Sequence, residues 1–212
     1  MKTILLKPDI YYHIYNRANG SENLFLNENN YLFFLQKYTL YISPIAHTLA
    51  YCLMPNHIHF AIQIKSYQLL ESFKLSKSSK NYSTIEMFIS KQFSNLFSSY
   101  TQSFNKQQNR KGSLFMSNFK RKEISDENYF KQLIHYIHFN PVHHGFVKDL
   151  RDWKFSSFEA FFSEKSSKIS REKVISWFGD KKQFWEFHKK QIENKMCLTT
   201  FQKFETFGKL NK

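Results

Sequence analysis

The run Met54-Pro55-Asn56-His57-Ile58-His59-Phe60-Ala61-Ile62-Gln63-Ile64 constrains this chain more than any other stretch. A period of two puts Ile58, Phe60, Ile62 and Ile64 on one face and His57, His59, Ala61 and Gln63 on the other, the pattern of a strand packed on an apolar core. Two imidazoles on the same side of a strand lie about 6.6–7 Å apart at the backbone. Both rings can then converge on one divalent cation, for which imidazole is a common ligand. Alone, the pattern is too short to be specific, and two ordinary polar residues on the wet face of a half-buried strand account for it more simply.

At 212 residues with 42% hydrophobic content, the chain is long enough to bury a real core. Lys and Arg outnumber Asp and Glu by 31 to 17, a formal charge of +14 that points to a polyanionic partner, most often nucleic acid. Cys52 and Cys197 are the only cysteines, which fits a reduced, cytoplasmic protein better than a disulfide scaffold or a zinc site. The first apolar run is cut short by Lys7 and Pro8, so neither a secretory signal nor a membrane span is expected.

Ile10 to Arg17 reads as a first strand, closed by the turn cluster Ala18-Asn19-Gly20-Ser21. Asn27 or Asn30 can cap a helix that Pro44 closes, and Ile45 to Leu53 is a strand leading into the His-bearing one. After a serine- and lysine-rich connection, Thr84 to Asn105 is a long amphipathic helix whose stripe of Ile85, Phe88, Ile89, Phe93, Leu96, Phe97, Tyr100 and Phe104 is core packing. Phe115 to Ile124 reads as the fourth strand. Ser125 is expected to cap the next helix, with Asp126 and Glu127 in its first turn and Asn140-Pro141 at its end.

This order predicts an α+β fold: a ferredoxin-like βαββαβ antiparallel sheet with helices on one face, followed by a further helix. Residues 1–162 would form the main domain and 163–212 a basic, helical C-terminal extension apart from the sheet. On the helix that follows Ser125, Phe130, Leu133, Ile134 and Ile137 form a buried stripe, while Gln132, Tyr136 and Asn140 form a flanking ridge at four-residue spacing. Spacing alone makes Tyr136 a rim residue and Asn140 a terminator.

Five blocks in fixed order carry more information: Tyr12-His13-Ile14-Tyr15-Asn16-Arg17, Leu53-Met54-Pro55-Asn56-His57-Ile58-His59, Gly112-Ser113-Leu114-Phe115, Tyr136-Ile137-His138-Phe139-Asn140-Pro141-Val142 and Asp152-Trp153-Lys154-Phe155-Ser156-Ser157. Over residues 9–160 the chain resembles the IS200-type single-tyrosine (Y1) HUH transposases, and is most similar to the REP-associated tyrosine transposases. The resemblance implies that His57 and His59 bind Mg²⁺ or Mn²⁺, that Tyr136 is the catalytic nucleophile, and that Asn140 is a third, polar metal ligand where many relatives have Gln. It also implies a substrate of single-stranded DNA with hairpins, cut through a 5′-phosphotyrosine intermediate. A bacterial-type cytoplasmic enzyme, nucleoid-associated when on DNA, is expected. Insertion-sequence relatives are dimers and the repeat-associated branch need not be, which leaves a homodimer open.

The chemistry suits these residue types. A metal would polarise the scissile phosphate, and a tyrosine, with an ordinary pKa near ~10, needs that help and good positioning to attack. Arg17, Lys106, Arg110, Lys111, Lys120, Arg121 and Lys122 are candidate phosphate contacts, and the many aromatics can stack unpaired bases. His13 and His47 read as structural, His143 and His144 as loop residues, at most phosphate contacts. Two other functions compete: a nucleic-acid-binding protein without cleavage on the same frame, and a metal-dependent hydrolase whose nucleophile is water.

Overall fold

The computed structural model describes residues 4–77 and 82–194. In chain order its elements are β1 (Tyr11–Arg17), α1 (Glu28–Tyr41), β2 (Ala46–Leu53), β3 (His57–Ile64), α2 (Tyr67–Ser76), α3 (Ile85–Gln107), β4 (Lys120–Glu123), α4 (Glu127–His143), α5 (Arg171–Phe178) and α6 (Lys181–Asn194). The sheet runs β2-β3-β1-β4, and every neighbouring pair is antiparallel. This is the split βαβ order expected from the sequence.

The period of two on β3 is realised. Ile58, Phe60, Ile62 and Ile64 join Tyr12 and Ile14 of β1 in an apolar core with Phe34 and Tyr38 of α1 and Phe88, Phe93 and Tyr100 of α3. The opposite face is covered too. Ala50, Cys52 and Ala61 offer small side chains there, and α4 lies on them with Phe130, Leu133, Ile134 and Ile137. The two helices of the split motif share one face, and the tyrosine-bearing helix takes the other. His59 is therefore buried, 3% exposed, rather than on a wet face.

Local chemistry fixes the helix ends. Asn27 caps α1, accepting from the Asn30 amide at 3.2 Å, while Asn30 is buried and bonds Gln107 on α3. Thr84 caps α3. On α4 the cap is Asp126, not Ser125: its carboxylate accepts from the Tyr129 amide at 2.8 Å, and Ser125 supports it by donating to the other carboxylate oxygen at 2.9 Å. A carboxylate at a helix N-terminus also gains from the helix dipole. The helix does not stop at Asn140-Pro141 but runs through Pro141 to His143. Proline inside the last turn removes one backbone bond. The turn is nevertheless closed by His144 N–H to Asn140 O at 3.0 Å, and Gly145, at φ +73°, ends it.

Two further expectations are corrected. The fourth strand is short, because Phe115 makes only an isolated bridge to Ala18 and ladder pairing begins at Lys120. In the C-terminal extension, Ile169, Val174, Phe178 and Phe184 belong to the same core as α4, so the described part is not a unit apart from the sheet. The segment leading into it clasps the outer edge of β2 through Leu53 N–H to Phe155 O (3.0 Å), Ser157 N–H to Tyr51 O (2.9 Å) and Ser170 N–H to Thr48 O (2.9 Å). Cys52 is a buried free thiol. Cys197, like all of 195–212, lies outside the described residues. Among the described residues no helix is long and apolar enough to cross a membrane.

Candidate active site

The site forms where the start of β3 meets the last turns of α4. His57 and His59 project from β3 on the α4 side, and α4 brings Tyr136 and Asn140 onto them. Nε2 of His57 lies 3.0 Å from Oδ1 of Asn140, across 83 residues of sequence, and Nδ1 of His57 lies 2.7 Å from Oδ1 of Asn56. The His57 and His59 rings meet edge to face at 5.2 Å between centroids, and the His59 and Tyr136 rings at 5.3 Å. Asn140 is buried and also donates to Tyr136 O at 3.4 Å. The flanking ridge read from the sequence turns inward: Tyr136 is 2% exposed, packed against the sheet instead of on a rim.

Two imidazole nitrogens and one amide oxygen are donors a divalent cation can take. His57 Nε2 and Asn140 Oδ1 lie 3.0 Å apart as a hydrogen bond in which the ring N–H donates, and the same two atoms could share an ion once that proton is lost. Burial, with the nearby His13, His57 and His144 adding to it, holds the His59 pKa well below the ordinary histidine value, so its ring is neutral as a ligand requires. Among the described residues no group of three or more His, Cys, Asp or Glu is arranged to hold a metal. The candidate set is two imidazoles and one amide.

A cleft of about 380 Å³ opens beside these residues, lined by His57, His59 and His144 together with Arg17, Lys120, Tyr15 and Phe146. Its lining includes two permanent cations and no carboxylate, a field that favours a phosphate backbone. Phe146 is 52% exposed and offers a ring face at the cleft.

The other basic residues divide. Arg110 is held by Glu22, with Nη2 at 2.8 and 2.6 Å from its two oxygens, and also bonds Asn105. Its role here is to tie the loop after α3. Arg121 turns to the α3 side, over the Phe119 ring at 4.2 Å and 3.3 Å from Ser90 Oγ, and Lys122 lies over the Tyr129 ring at 4.2 Å. Lys106 and Lys111 are exposed and do not line the cleft.

His144 reads differently from the sequence expectation of a loop residue: it is the C-cap of α4, its ring 5.2 Å from that of His57. His13 is buried, in keeping with a structural residue, with Nε2 2.9 Å from Nδ1 of His59. The available signal was the alternation of β1, which puts Tyr11, His13, Tyr15 and Arg17 on the face opposite Tyr12 and Ile14.

The fold and site together define a class: an antiparallel βαββαβ sheet with paired histidines on a central strand and a tyrosine and an amide on the helix across it. No family model matches the chain. The chain is similar to a protein of Haemophilus influenzae provisionally named a REP-associated tyrosine transposase, at 30% identity over 113 residues. The match covers 52% of this chain and 58% of that relative, so it spans little more than half of the relative's length. A solved structure of a REP-associated tyrosine transposase bound to a REP hairpin matches with a TM-score of 0.54 at 18% identity, over 77% of this chain and 85% of that one. At that identity the likeness establishes the fold.

Proposed function

We propose that this protein is a single-tyrosine DNA endonuclease and strand transferase acting on hairpin-bearing single-stranded DNA, with Tyr136 as nucleophile. The observation that carries the reading is the meeting of His57, His59, Tyr136 and Asn140 in one place, from a strand and a helix far apart in sequence. The similarity to REP-associated tyrosine transposases, one of them solved with a REP hairpin, supports the reaction and the substrate class.

His57 through Nε2, Asn140 through Oδ1, and His59 would hold Mg²⁺ or Mn²⁺. When bound, the ion supplies positive charge that polarises the scissile phosphate. Arg17 and Lys120 draw the strand into the cleft, and Tyr15 and Phe146 present ring faces on which unpaired bases can stack. Tyr136 is covered in this structure, so its ring turns toward the cleft before attack. Its Oη then bonds to phosphorus while the bond from phosphorus to the 3′ oxygen breaks. The tyrosine loses its proton and the departing oxygen gains one, leaving a 5′-phosphotyrosine and a free 3′-OH. The phosphodiester's energy is kept, so a second 3′-OH can reverse the step and join a new strand.

The test uses hairpin-containing single-stranded oligonucleotides from the DNA flanking the gene, with Mn²⁺, on a denaturing gel. The expected outcome is a protein–DNA band that survives denaturation in the wild type and is absent with Tyr136→Phe, with His57→Ala and with EDTA. Cleavage that persists in Tyr136→Phe would make water the nucleophile. Binding with neither adduct nor cleavage would favour a binding protein.

A further inference from the structure

We propose that His13 is a positioning residue that accepts the Nδ1 proton of His59 and so presents the Nε2 lone pair of His59 for a divalent cation. The proposal rests on the reading of His57, His59 and Asn140 as cation ligands. His13 lies on β1 opposite Ala61 and reaches diagonally across the ladder to His59, with Nε2 to Nδ1 at 2.9 Å. Both side chains are buried, at 0% and 3% exposure. The pair is clamped by its neighbours: His13 stacks on Tyr15 at 4.7 Å, and Tyr136 stands edge-on to both imidazoles.

Two neutral imidazoles that share one hydrogen bond must divide the roles, one donating and the other accepting. If His59 accepted at Nδ1, its proton would sit on Nε2 and that nitrogen could not coordinate. If His59 donates from Nδ1, Nε2 is unprotonated, on the side of the ring away from His13, in a residue that lines the cleft. His13 then accepts at Nε2 and carries its own proton on Nδ1. Partners beyond the ligands commonly fix a metal-bound histidine's tautomer and strengthen binding about 10–100-fold. Here the partner is another imidazole.

The experiment measures Mn²⁺ affinity by calorimetry, and the His59 tautomer by ring ¹⁵N shifts in metal-free protein, for the wild type, His13→Phe and His13→Gln. Phe keeps the ring and removes the acceptor; the Gln amide oxygen restores an acceptor near Nε2. The expected result is an Nδ1–H tautomer at His59 in the wild type, Mn²⁺ binding about 10–100-fold weaker in His13→Phe, and recovery toward wild type in His13→Gln. A residue that only packs would give the opposite ranking, Phe tolerated and Gln not. Equal Mn²⁺ binding by the wild type and His13→Phe, or an Nε2–H tautomer in the wild type, would overturn the proposal. A wild type that binds no Mn²⁺ would overturn the ligand reading itself, and the proposal with it. Should His13→Phe fail to fold, the wild-type tautomer and the His13→Gln affinity decide the matter.

Discussion

A positive charge in a basic chain is informative only once its partner is known. Arg110 and Arg17 are indistinguishable by composition, yet Arg110 is committed to Glu22 while Arg17 lines the cleft with Lys120. Replacing Arg17 or Lys120 with Ala should weaken hairpin-DNA binding across sequences and lower the slope of log affinity against log salt by about 1 for each. Arg110→Ala should leave that slope unchanged and cost about 1 kcal/mol of stability; binding titrations at several salt concentrations and denaturant melts separate the two. His57, His59, Tyr136 and Asn140 were legible as a set only through the family resemblance of five ordered blocks, since spacing alone made Tyr136 a rim residue and Asn140 a terminator. Which cation lines the cleft, and that His13 touches His59, were not legible. Those depend on strand register, and a shift of one residue would exchange the faces.

Most of the elements were legible, their ends less so. The stripe that predicted α3 is its buried face, apart from the half-buried Phe97. Helix α4 outran its expected end because tertiary packing tolerates Pro141 in a last turn. Its partner α6 reveals a chain invisible to periodicity: Nδ1 of His188 bonds Phe184 O at 2.9 Å, its Nε2 meets His138 Nδ1 at 3.1 Å, and His138 Nε2 meets Ser157 Oγ at 2.9 Å. Burial lowers the His188 pKa to about 4, from an ordinary 6.5. Above pH 6.5 the ring is neutral folded or unfolded. As pH falls from 6.5 toward 4 the unfolded chain takes up a proton that the folded one refuses, and stability drops by about 1.4 kcal/mol per pH unit from this group. Denaturant melts at pH 7 and pH 5 should show that loss, with a shallower slope in His188→Leu. An unchanged midpoint would count against the buried neutral pair.

At the scale of the molecule, the layered architecture followed from element order, but the dividing line at residue 162 did not survive contact with the core. Residues 163–212 read from the sequence as a basic, helical extension apart from the sheet. In space Phe178 and Phe184 join the apolar core around α4, and Trp177 packs tilted against Phe130 with ring centroids 4.3 Å apart. A chain ending at residue 162 should therefore lose cooperative unfolding and expose apolar surface, read as dye binding and lost thermal transition; a sharp transition near the wild-type temperature would contradict this.

The clasp on β2 also has a consequence in time. The groups that occupy the outer edge of β2 come from positions 155 to 170, more than a hundred residues later in synthesis. As the chain leaves the ribosome, β2 emerges early, with Leu49, Ala50 and Cys52 uncovered and an edge open to pairing. Its edge stays open until positions 155 to 170 follow. The nascent protein thus passes through a long interval in which its sheet is incomplete, and helpers that shield unfinished chains would act before residue 170 is added, not after.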